Sequence, residues 1–248
     1  MQSRPLVVSF SGVDGAGKST QIAALCQFLL ECEREWKLYT FWDDVVAFAR
    51  VREKCSIRLF RGDSGVGSPD HPIQRRDKDV KSWPLTLFRL FLYTADALHL
   101  RLKLARHPDT PDIVIFDRYI YDELANLPLK RSTIRRYIRL LARIAPKPDV
   151  AILLDAEPSA AVQRKPEYPL EFVRRNREAY LSLAPMVGMT VIPSSSVEEA
   201  TAAITKAVSA VFRDGKQAST PSETLVEAPH RNSTQAGESP FFSTTSSH

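Results

Sequence analysis

The chain carries the run Gly12-Val13-Asp14-Gly15-Ala16-Gly17-Lys18-Ser19-Thr20 between an apolar, strand-like segment and a helical pattern. This run fits the GxxxxGK[ST] pattern of a phosphate-binding loop, in the strand–loop–helix context that the pattern requires. Three of the nine glycines of the chain fall within its first six residues. Glycine lets backbone N–H groups converge on a polyphosphate without obstruction by Cβ, and the helix that follows points its positive end there. We therefore expect this chain to bind a nucleotide.

Two side chains of this loop have predicted tasks of their own. We expect Lys18 to reach the β- and γ-phosphates and Ser19 to ligate Mg²⁺, so the implied cofactors are ATP and Mg²⁺. The nucleotide-binding residues are predicted to be Gly12, Val13, Asp14, Gly15, Ala16, Gly17, Lys18, Ser19 and Thr20.

Outward from the loop, short apolar runs alternate with longer segments of helical spacing. The apolar runs are residues 5–11, 38–42, 112–116, 150–154 and 190–192. The helical segments are residues 18–33, 83–106, 132–145, 170–184 and 197–212. Nearly continuous apolar strands separated by helices indicate a parallel sheet covered on both faces. We predict a three-layer α/β fold of about five parallel strands flanked by helices.

Two segments depart from this alternation. The tail, residues 214–248, contains twelve Ser or Thr and three Pro without an apolar period, so we predict that it is disordered. Residues 1–213 would then form a single domain. The segment 59–84 is rich in turn residues and polar residues, and two interpretations stay open: a lid or binding segment, or a mobile surface insertion.

Charge and composition narrow the class of ligand and the compartment. The net charge is +5, and the tail holds two basic and four acidic residues, so the rest carries +7. A basic body favours an anionic ligand such as phosphate over nucleic acid here. No apolar run approaches the ~18 residues of a membrane span, and the first strand starts too early to leave room for a signal peptide. The three cysteines form no CxxC pair, which is typical of idle thiols in a reducing compartment. We therefore expect a cytoplasmic protein and, without a membrane span, no membrane partner.

The motif Asp117-Arg118-Tyr119 separates the classes of nucleotide-binding protein. No asparagine is followed by Lys, so the Asn-Lys-x-Asp pattern of a GTPase is missing. A hydrolysing ATPase would usually place two adjacent carboxylates after this strand, whereas here Asp117 is followed by the cation Arg118. An arginine beside the phosphates suits the stabilisation of charge during transfer better than the activation of water. We therefore favour phosphoryl transfer to an acceptor.

These motifs carry a family resemblance over residues 5–212. Residues 10–20 together with Asp117-Arg118-Tyr119 resemble the thymidylate kinase family of nucleoside monophosphate kinases. Weaker matches occur in the expected order at Tyr93-Thr94-Ala95-Asp96, at Leu153-Leu154-Asp155 with Arg164, and at residues 180–184. The resemblance implies a three-layer P-loop kinase fold and transfer of the ATP γ-phosphoryl group to a nucleoside monophosphate or related acceptor. It also implies a homodimer as one option for assembly.

The resemblance assigns roles to particular residues. Asp14 would face the sugar of the acceptor, Arg118 would bind the transferring phosphates, and Asp117 would position Mg²⁺ or its waters. Arg164 and Lys165 would belong to a short lid over the donor phosphates. The catalytic residues implied are Lys18, Arg118, Asp117, Asp14 and Arg164, with Asp96 and Tyr119 on the acceptor side. Asp43 and Asp44 are further acceptor-side candidates because they follow the second predicted strand, where doubly wound folds bind their ligands.

The chain departs from the family pattern at three positions. The pattern has Arg-Glu-Pro after the second strand, where this chain has Asp43 and Asp44. It has Arg after Ala-Asp in the substrate-side helix, where this chain has Ala97, and Glu after the Phe of the first strand, where it has Ser11. A phosphate-bearing acceptor would lose two of its usual cationic partners, so dTMP is not assured as the substrate.

Two alternative functions stay open. Asp43 or Asp44 would accept a proton from a substrate hydroxyl in a kinase of a nucleoside, sugar or other alcohol, although either residue could instead cap a helix. The arginines at 131, 135, 139 and 143 recur every four residues, which indicates one helical face with Arg136 beside it. We interpret this stripe as a solvated face; as a binding surface it would fit a non-catalytic nucleotide-binding module.

Overall fold

The structure, a computed structural model, describes residues 4–45, 83–105 and 111–217. Its strands are β1 (Leu6–Ser11), β2 (Trp36–Thr40), β3 (Ile113–Asp117), β4 (Val150–Asp155) and β5 (Thr190–Pro193). All neighbours pair in parallel, in the order β2-β3-β1-β4-β5. Residues 7–11 of β1 are all buried, and because successive side chains of a strand point to opposite faces, both faces of the sheet are covered here. The predicted parallel α/β sheet of five strands is confirmed.

Helices cover both faces of this sheet. They are α1 (Lys18–Glu31), α2 (Trp83–Ala105), α3 (Ile120–Leu124), α4 (Ser132–Ile144), α5 (Pro158–Arg164), α6 (Leu170–Val187) and α7 (Val197–Gln217). α1 packs against α7, while α2, α3, α4 and α6 form a second group in mutual contact. Both α6 and α7 also contact β4 and β5, so the sheet lies between two helical layers. This is the predicted three-layer arrangement.

The boundaries of β2 differ from the prediction. The strand begins two residues earlier than position 38 and ends at Thr40, and Phe41–Val45 forms one turn of π-helix. The Thr40 backbone N–H donates to the Asp44 carboxylate at 2.8 Å, and Lys103 Nζ donates to the Asp44 carbonyl at 2.7 Å. These contacts curl the chain at a point where Phe41 and Trp42 prolong the apolar run beyond the strand.

Helix α3 was not predicted, because five residues are too few to display a helical period. The helix begins directly after Tyr119. The Tyr119 backbone N–H donates to the Asp122 carboxylate at 2.9 Å. Asp122 lies in the first turn of α3, where a carboxylate also interacts favourably with the helix dipole. The sequence between Asp117 and Asn126 therefore folds as a helical turn against the end of β3.

The predicted tail and insertion fall largely outside the described residues. α7 continues to Gln217, so residues 214–217 lie in a helix rather than in the predicted tail, and residues 218–248 are not described. The predicted insertion at 59–84 is also outside the described residues, apart from the start of α2 at Trp83. Within the described part of the chain, no helix is both long enough and apolar enough to cross a membrane.

The arginine stripe lies on the outer side of α4. Ile134, Ile138 and Leu141 are buried on the inner side of this helix. The exposed arginines are Arg131, Arg135, Arg136, Arg139 and Arg143. This is the placement expected of a solvated face.

Ile138 and Leu140 of α4 offer a matched test of this packing. Ile138 is fully buried and Leu140 is 55% exposed. We expect Ile138→Ala to lower the free energy of unfolding by about 2–5 kcal/mol, because it opens a cavity in the core. Leu140→Ala should change it by no more than about 0.5 kcal/mol, and urea unfolding of both variants measures the difference. Equal losses in the two variants would contradict the assignment of faces.

Candidate active site at the carboxyl ends of β1 and β3

The loop between β1 and α1 has a conformation that only glycine permits at two of its positions. Gly12 and Gly15 have φ values of 141° and 80°. A Cβ on Gly12 would lie 2.6 Å from the Leu154 carbonyl oxygen, and one on Gly15 would lie 2.2 Å from the Ala161 carbonyl oxygen. The loop therefore packs directly on the end of β4 and on α5. α1 begins at Lys18 immediately after the loop, so the positive end of its dipole faces this region.

Lys18 is buried beneath the loop. Its Nζ donates to the carbonyl oxygens of Gly12 at 2.9 Å and Val13 at 3.0 Å. Burial, and then repulsion by Arg118, lowers the pKa of Lys18 from 10.5 to about 8. The carboxylates of Asp14, Asp122 and Asp117 oppose this shift by favouring the ammonium form. A phosphate group placed here would gain a preformed cation.

Arg118 is the centre of a cluster of charges beside the loop. Its backbone has a φ of 68°, and its N–H donates to the Phe10 carbonyl at 3.0 Å, which ties β3 to the end of β1. Its guanidinium forms an ion pair with Asp14, and Nη1 lies 3.6 Å from Asp122 Oδ1. Burial opposes the positive charge, but Asp122 and Asp14 outweigh it and raise the pKa of Arg118 above its ordinary value. Arg118 is thus a fixed cation between two carboxylates.

Asp117 and Ser19 supply the oxygen donors that were predicted for Mg²⁺. Asp117 is the last residue of β3 and is half-buried, and it pairs in register with Phe10 of β1. Ser19 lies exposed in the first turn of α1. One or two protein oxygens together with phosphate oxygens and water are what Mg²⁺ prefers in nucleotide sites, so these residues fit the ion. Among the described residues, no group of three or more His, Cys, Asp or Glu could hold a metal by itself.

The predicted lid residues fall at the end of α5. Arg164 Nη1 donates to the Gly15 carbonyl at 3.1 Å, so this arginine already rests on the loop. Lys165 follows it but points to Glu167, with Nζ 3.2 Å from Oε1. The structure thus brings Arg164 to the loop, whereas Lys165 is engaged beside it.

The predicted acceptor-side residues have different surroundings. Asp44 holds the turn after β2, as described above, and Asp43 is exposed in the same turn. Asp96 is fully buried in α2. Tyr119 is also fully buried: its hydroxyl donates to the Pro146 carbonyl and its ring packs edge-on against Phe116. These contacts give Asp44 and Tyr119 structural roles, and their acceptor-side roles stay predictions.

Two residues of the cluster were not predicted as site residues, namely Asp122 and Tyr180. Asp122 is 5% exposed and Tyr180 is 4% exposed. Tyr180 donates its hydroxyl to Asp122 Oδ1 at 2.7 Å, and Ser11 Oγ donates to Asp122 Oδ2 at 2.7 Å. Burial and the neighbouring Asp122 raise the pKa of Tyr180 well above its usual range, which keeps the hydroxyl protonated as a donor. Asp122 lies outside every motif of the sequence, so only its burial marks it.

Comparison with known proteins agrees with this geometry. The family model for thymidylate kinase matches residues 78–204, about half of the chain. The chain belongs to the thymidylate kinase family. The matched range does not include the loop of residues 12–20, so the family match and the loop geometry rest on different parts of the chain. The predicted resemblance is confirmed.

Individual relatives cover most of the chain. A probable thymidylate kinase of Archaeoglobus fulgidus is 25% identical over 210 residues, which span 82% of this chain and 94% of the relative. A probable thymidylate kinase of Pyrobaculum aerophilum is 30% identical over 211 residues, which span 79% and 92%. Among solved structures, thymidylate kinase from Candida albicans matches with a TM-score of 0.56 and 16% identity over 86% of this chain and 94% of that chain. This structural match shows the shared fold.

Membership of this family places the chain among the nucleoside monophosphate kinases, which are nucleotide-binding phosphotransferases. Enzymes of the family use ATP as the phosphate donor, usually with Mg²⁺. The predicted class of enzyme, a phosphotransferase, is thereby confirmed, and the role of Asp117-Arg118-Tyr119 in the transfer stays a prediction.

The pKa of Lys18 predicts a pH dependence of stability. Between about pH 8 and 10.5 the unfolded chain keeps this proton and the folded chain has released it, so the folded state gains stability as pH rises. Relative to Lys18→Met, the wild type should gain up to about 3 kcal/mol across this window, with no further change below it. Urea unfolding of both proteins at a series of pH values tests this. Parallel curves for the two proteins would contradict the lowered pKa.

Proposed function

We propose that this chain transfers the γ-phosphoryl group of ATP to a nucleoside monophosphate in a Mg²⁺-dependent reaction. The observation that carries the proposal is the convergence of three cations on one glycine-lined loop at the start of a helix. Lys18 lies beneath the loop, Arg118 beside it and Arg164 on it. Three cations around a helix N-terminus suit a polyphosphate, and the family membership supports a phosphotransfer reaction.

Each cation has its own task in nucleotide binding. The ammonium group of Lys18 now satisfies the Gly12 and Val13 carbonyls, and β- and γ-phosphate oxygens would take their place as stronger, charged partners. Arg164 lies at the end of a short helix and donates to the Gly15 carbonyl of the loop. From this position it would close over the donor phosphates. Backbone N–H groups of the loop would bind the remaining oxygens.

Catalysis would consist of positioning and charge stabilisation. Arg118 is held in place before any substrate arrives, so its alignment on the transferring group requires little reorganisation. Ser19 and Asp117 would hold Mg²⁺, which supplies neutralising charge to the phosphates. Asp14 lies on the acceptor side of Arg118 in this proposal, where it would face the acceptor sugar.

A kinase of an uncharged alcohol is a second candidate, favoured by the acceptor side of the site. Ala97 is fully buried at the position where the family pattern has an arginine. Asp43 is exposed at the carboxyl end of β2, where doubly wound folds bind their ligands. A carboxylate at this position suits a hydroxyl group better than a phosphate, and Asp43 would accept its proton. The homodimer stays a prediction.

Gly15 and Gly188 provide a matched test of the loop. Both have positive φ, but a Cβ on Gly15 would collide with backbone at 2.2 Å, whereas one on Gly188 would lie 3.8 Å from the Lys147 side chain. We expect Gly15→Ala to weaken Mg-ATP binding by about tenfold or more, because loop and α5 must move apart. Gly188→Ala should leave ATP binding unchanged and cost about 1 kcal/mol of stability. Calorimetric titration with Mg-ATP measures both; a Gly15→Ala protein that binds like the wild type would contradict the loop assignment.

Turnover and acceptor class can be tested together with Lys18→Ala. We expect this variant to lose about a hundredfold or more of kcat with every acceptor, because it removes a cation from the transferring phosphates. Lys206→Ala, which changes an exposed lysine on α7, is the control and should keep wild-type turnover. The wild type is assayed with ATP against nucleoside monophosphates and against the corresponding nucleosides. Activity on monophosphates supports the leading proposal, activity on nucleosides alone supports the second, and undiminished turnover in Lys18→Ala would refute both.

A further inference from the structure

The buried carboxylate of Asp122 is saturated by donors from four parts of the site. Oδ2 accepts hydrogen bonds from Ser11 Oγ at 2.7 Å and from the Tyr119 N–H at 2.9 Å. Oδ1 accepts from the Tyr180 hydroxyl at 2.7 Å and faces Arg118 Nη1 at 3.6 Å. Asp122 thus joins β1, the turn after β3, α6 and Arg118 at a single side chain.

Asp122 constrains Arg118 in two ways. Its bond to the Tyr119 N–H fixes the peptide that follows Arg118, whose φ of 68° is uncommon for a residue with a side chain. Its second oxygen faces Nη1 of the guanidinium, whereas Nη2 forms the ion pair with Asp14. Asp14 is half-buried on the loop and Asp122 is buried, so Asp122 is the more enclosed of the two carboxylates.

We infer that Asp122 is a positioning residue for the reaction: it holds Arg118 on the transferring phosphate and supplies the carboxylate that the family pattern carries at position 11. Ser11 stands where that pattern has Glu, and its hydroxyl touches the Asp122 carboxylate. The negative charge of this pocket therefore comes from α3 rather than from β1. The inference rests on the phosphotransfer function proposed above.

Asp122→Asn removes the charge and leaves the shape of the side chain. Its remaining oxygen can still accept from Ser11 and Tyr119, but its NH₂ group then faces the guanidinium of Arg118, which also has only donors. We expect kcat to fall by about 10–100-fold, while the KM for ATP stays within about threefold, because the loop contacts of ATP are intact. Asp149→Asn is the matched control: Asp149 also accepts from an arginine and a backbone N–H, but at the opposite end of β1. It should keep wild-type kcat.

Moving the carboxylate from position 122 to position 11 tests the inference by rescue. Asp122→Ser should lose activity, and the double variant Ser11→Glu with Asp122→Ser should recover at least about fivefold of that loss, because it returns a carboxylate to the same pocket from β1. Tyr180→Phe removes a single hydroxyl from Asp122 and keeps the ring, so it remains informative if the Asp122 variants fail to fold. We expect it to lower kcat by about two- to tenfold at unchanged KM for ATP.

The ordering of the Arg118 side chain can also be measured by NMR, without an activity assay. In the wild type, NMR should resolve separate guanidinium Nη signals for Arg118, assigned by their loss in Arg118→Lys. Their exchange should quicken in Asp122→Asn, because one of the two carboxylates that restrain the guanidinium loses its charge. A wild type that turns over no acceptor would refute the proposed function while these signals still decide the role of Asp122. Three results would overturn the inference. They are a wild-type kcat in both Asp122→Asn and Tyr180→Phe, Nη signals that do not change in Asp122→Asn, and a double variant that is no more active than Asp122→Ser.

Discussion

Two carboxylates, Asp14 from the loop and Asp122 from α3, pair with the guanidinium of Arg118. Arg118 is buried enough that its charge would be costly without these partners, because desolvation of an unpaired cation is strongly unfavourable. The pairing offsets that penalty and leaves a cation in a defined orientation at the edge of the sheet. This pairing ties together the loop, the end of β3 and α3. The rest of the site therefore depends on it.

The same cluster determines the state of Lys18. Burial disfavours the ammonium group of Lys18, repulsion by Arg118 adds to this, and the nearby carboxylates compensate only in part. Lys18 therefore has a lowered pKa, and its side chain donates to backbone carbonyls of the loop. An incoming polyphosphate would add negative charge at this point and favour the protonated lysine further. Binding of the donor and ordering of the cations are in this way electrostatically coupled.

The residues proposed for the donor side and those proposed for the acceptor side differ in how far they follow the family pattern. The donor side keeps the glycine loop, the lysine and the arginines at the loop. On the acceptor side, Asp44 is occupied with the turn after β2 and Ala97 fills a core position. Under the proposed function, changes of this kind would alter which acceptor is recognised and leave the transfer residues in place, because recognition and charge stabilisation would be performed by different residues.

The loop of residues 12–20 and the alternation of apolar strands with helices were readable from the sequence, because each depends on local spacing: glycines at a turn, side chains alternating along a strand. The same is true of the family, which is carried by contiguous motifs. The tertiary structure decided the role of Asp122 and Tyr180, which lie 58 residues apart and share a hydrogen bond. It also decided that Tyr119 is a core side chain and that Asp44 holds a turn. Such roles follow from which groups are buried together, and burial of a charge against a distant partner leaves no periodic trace in the chain.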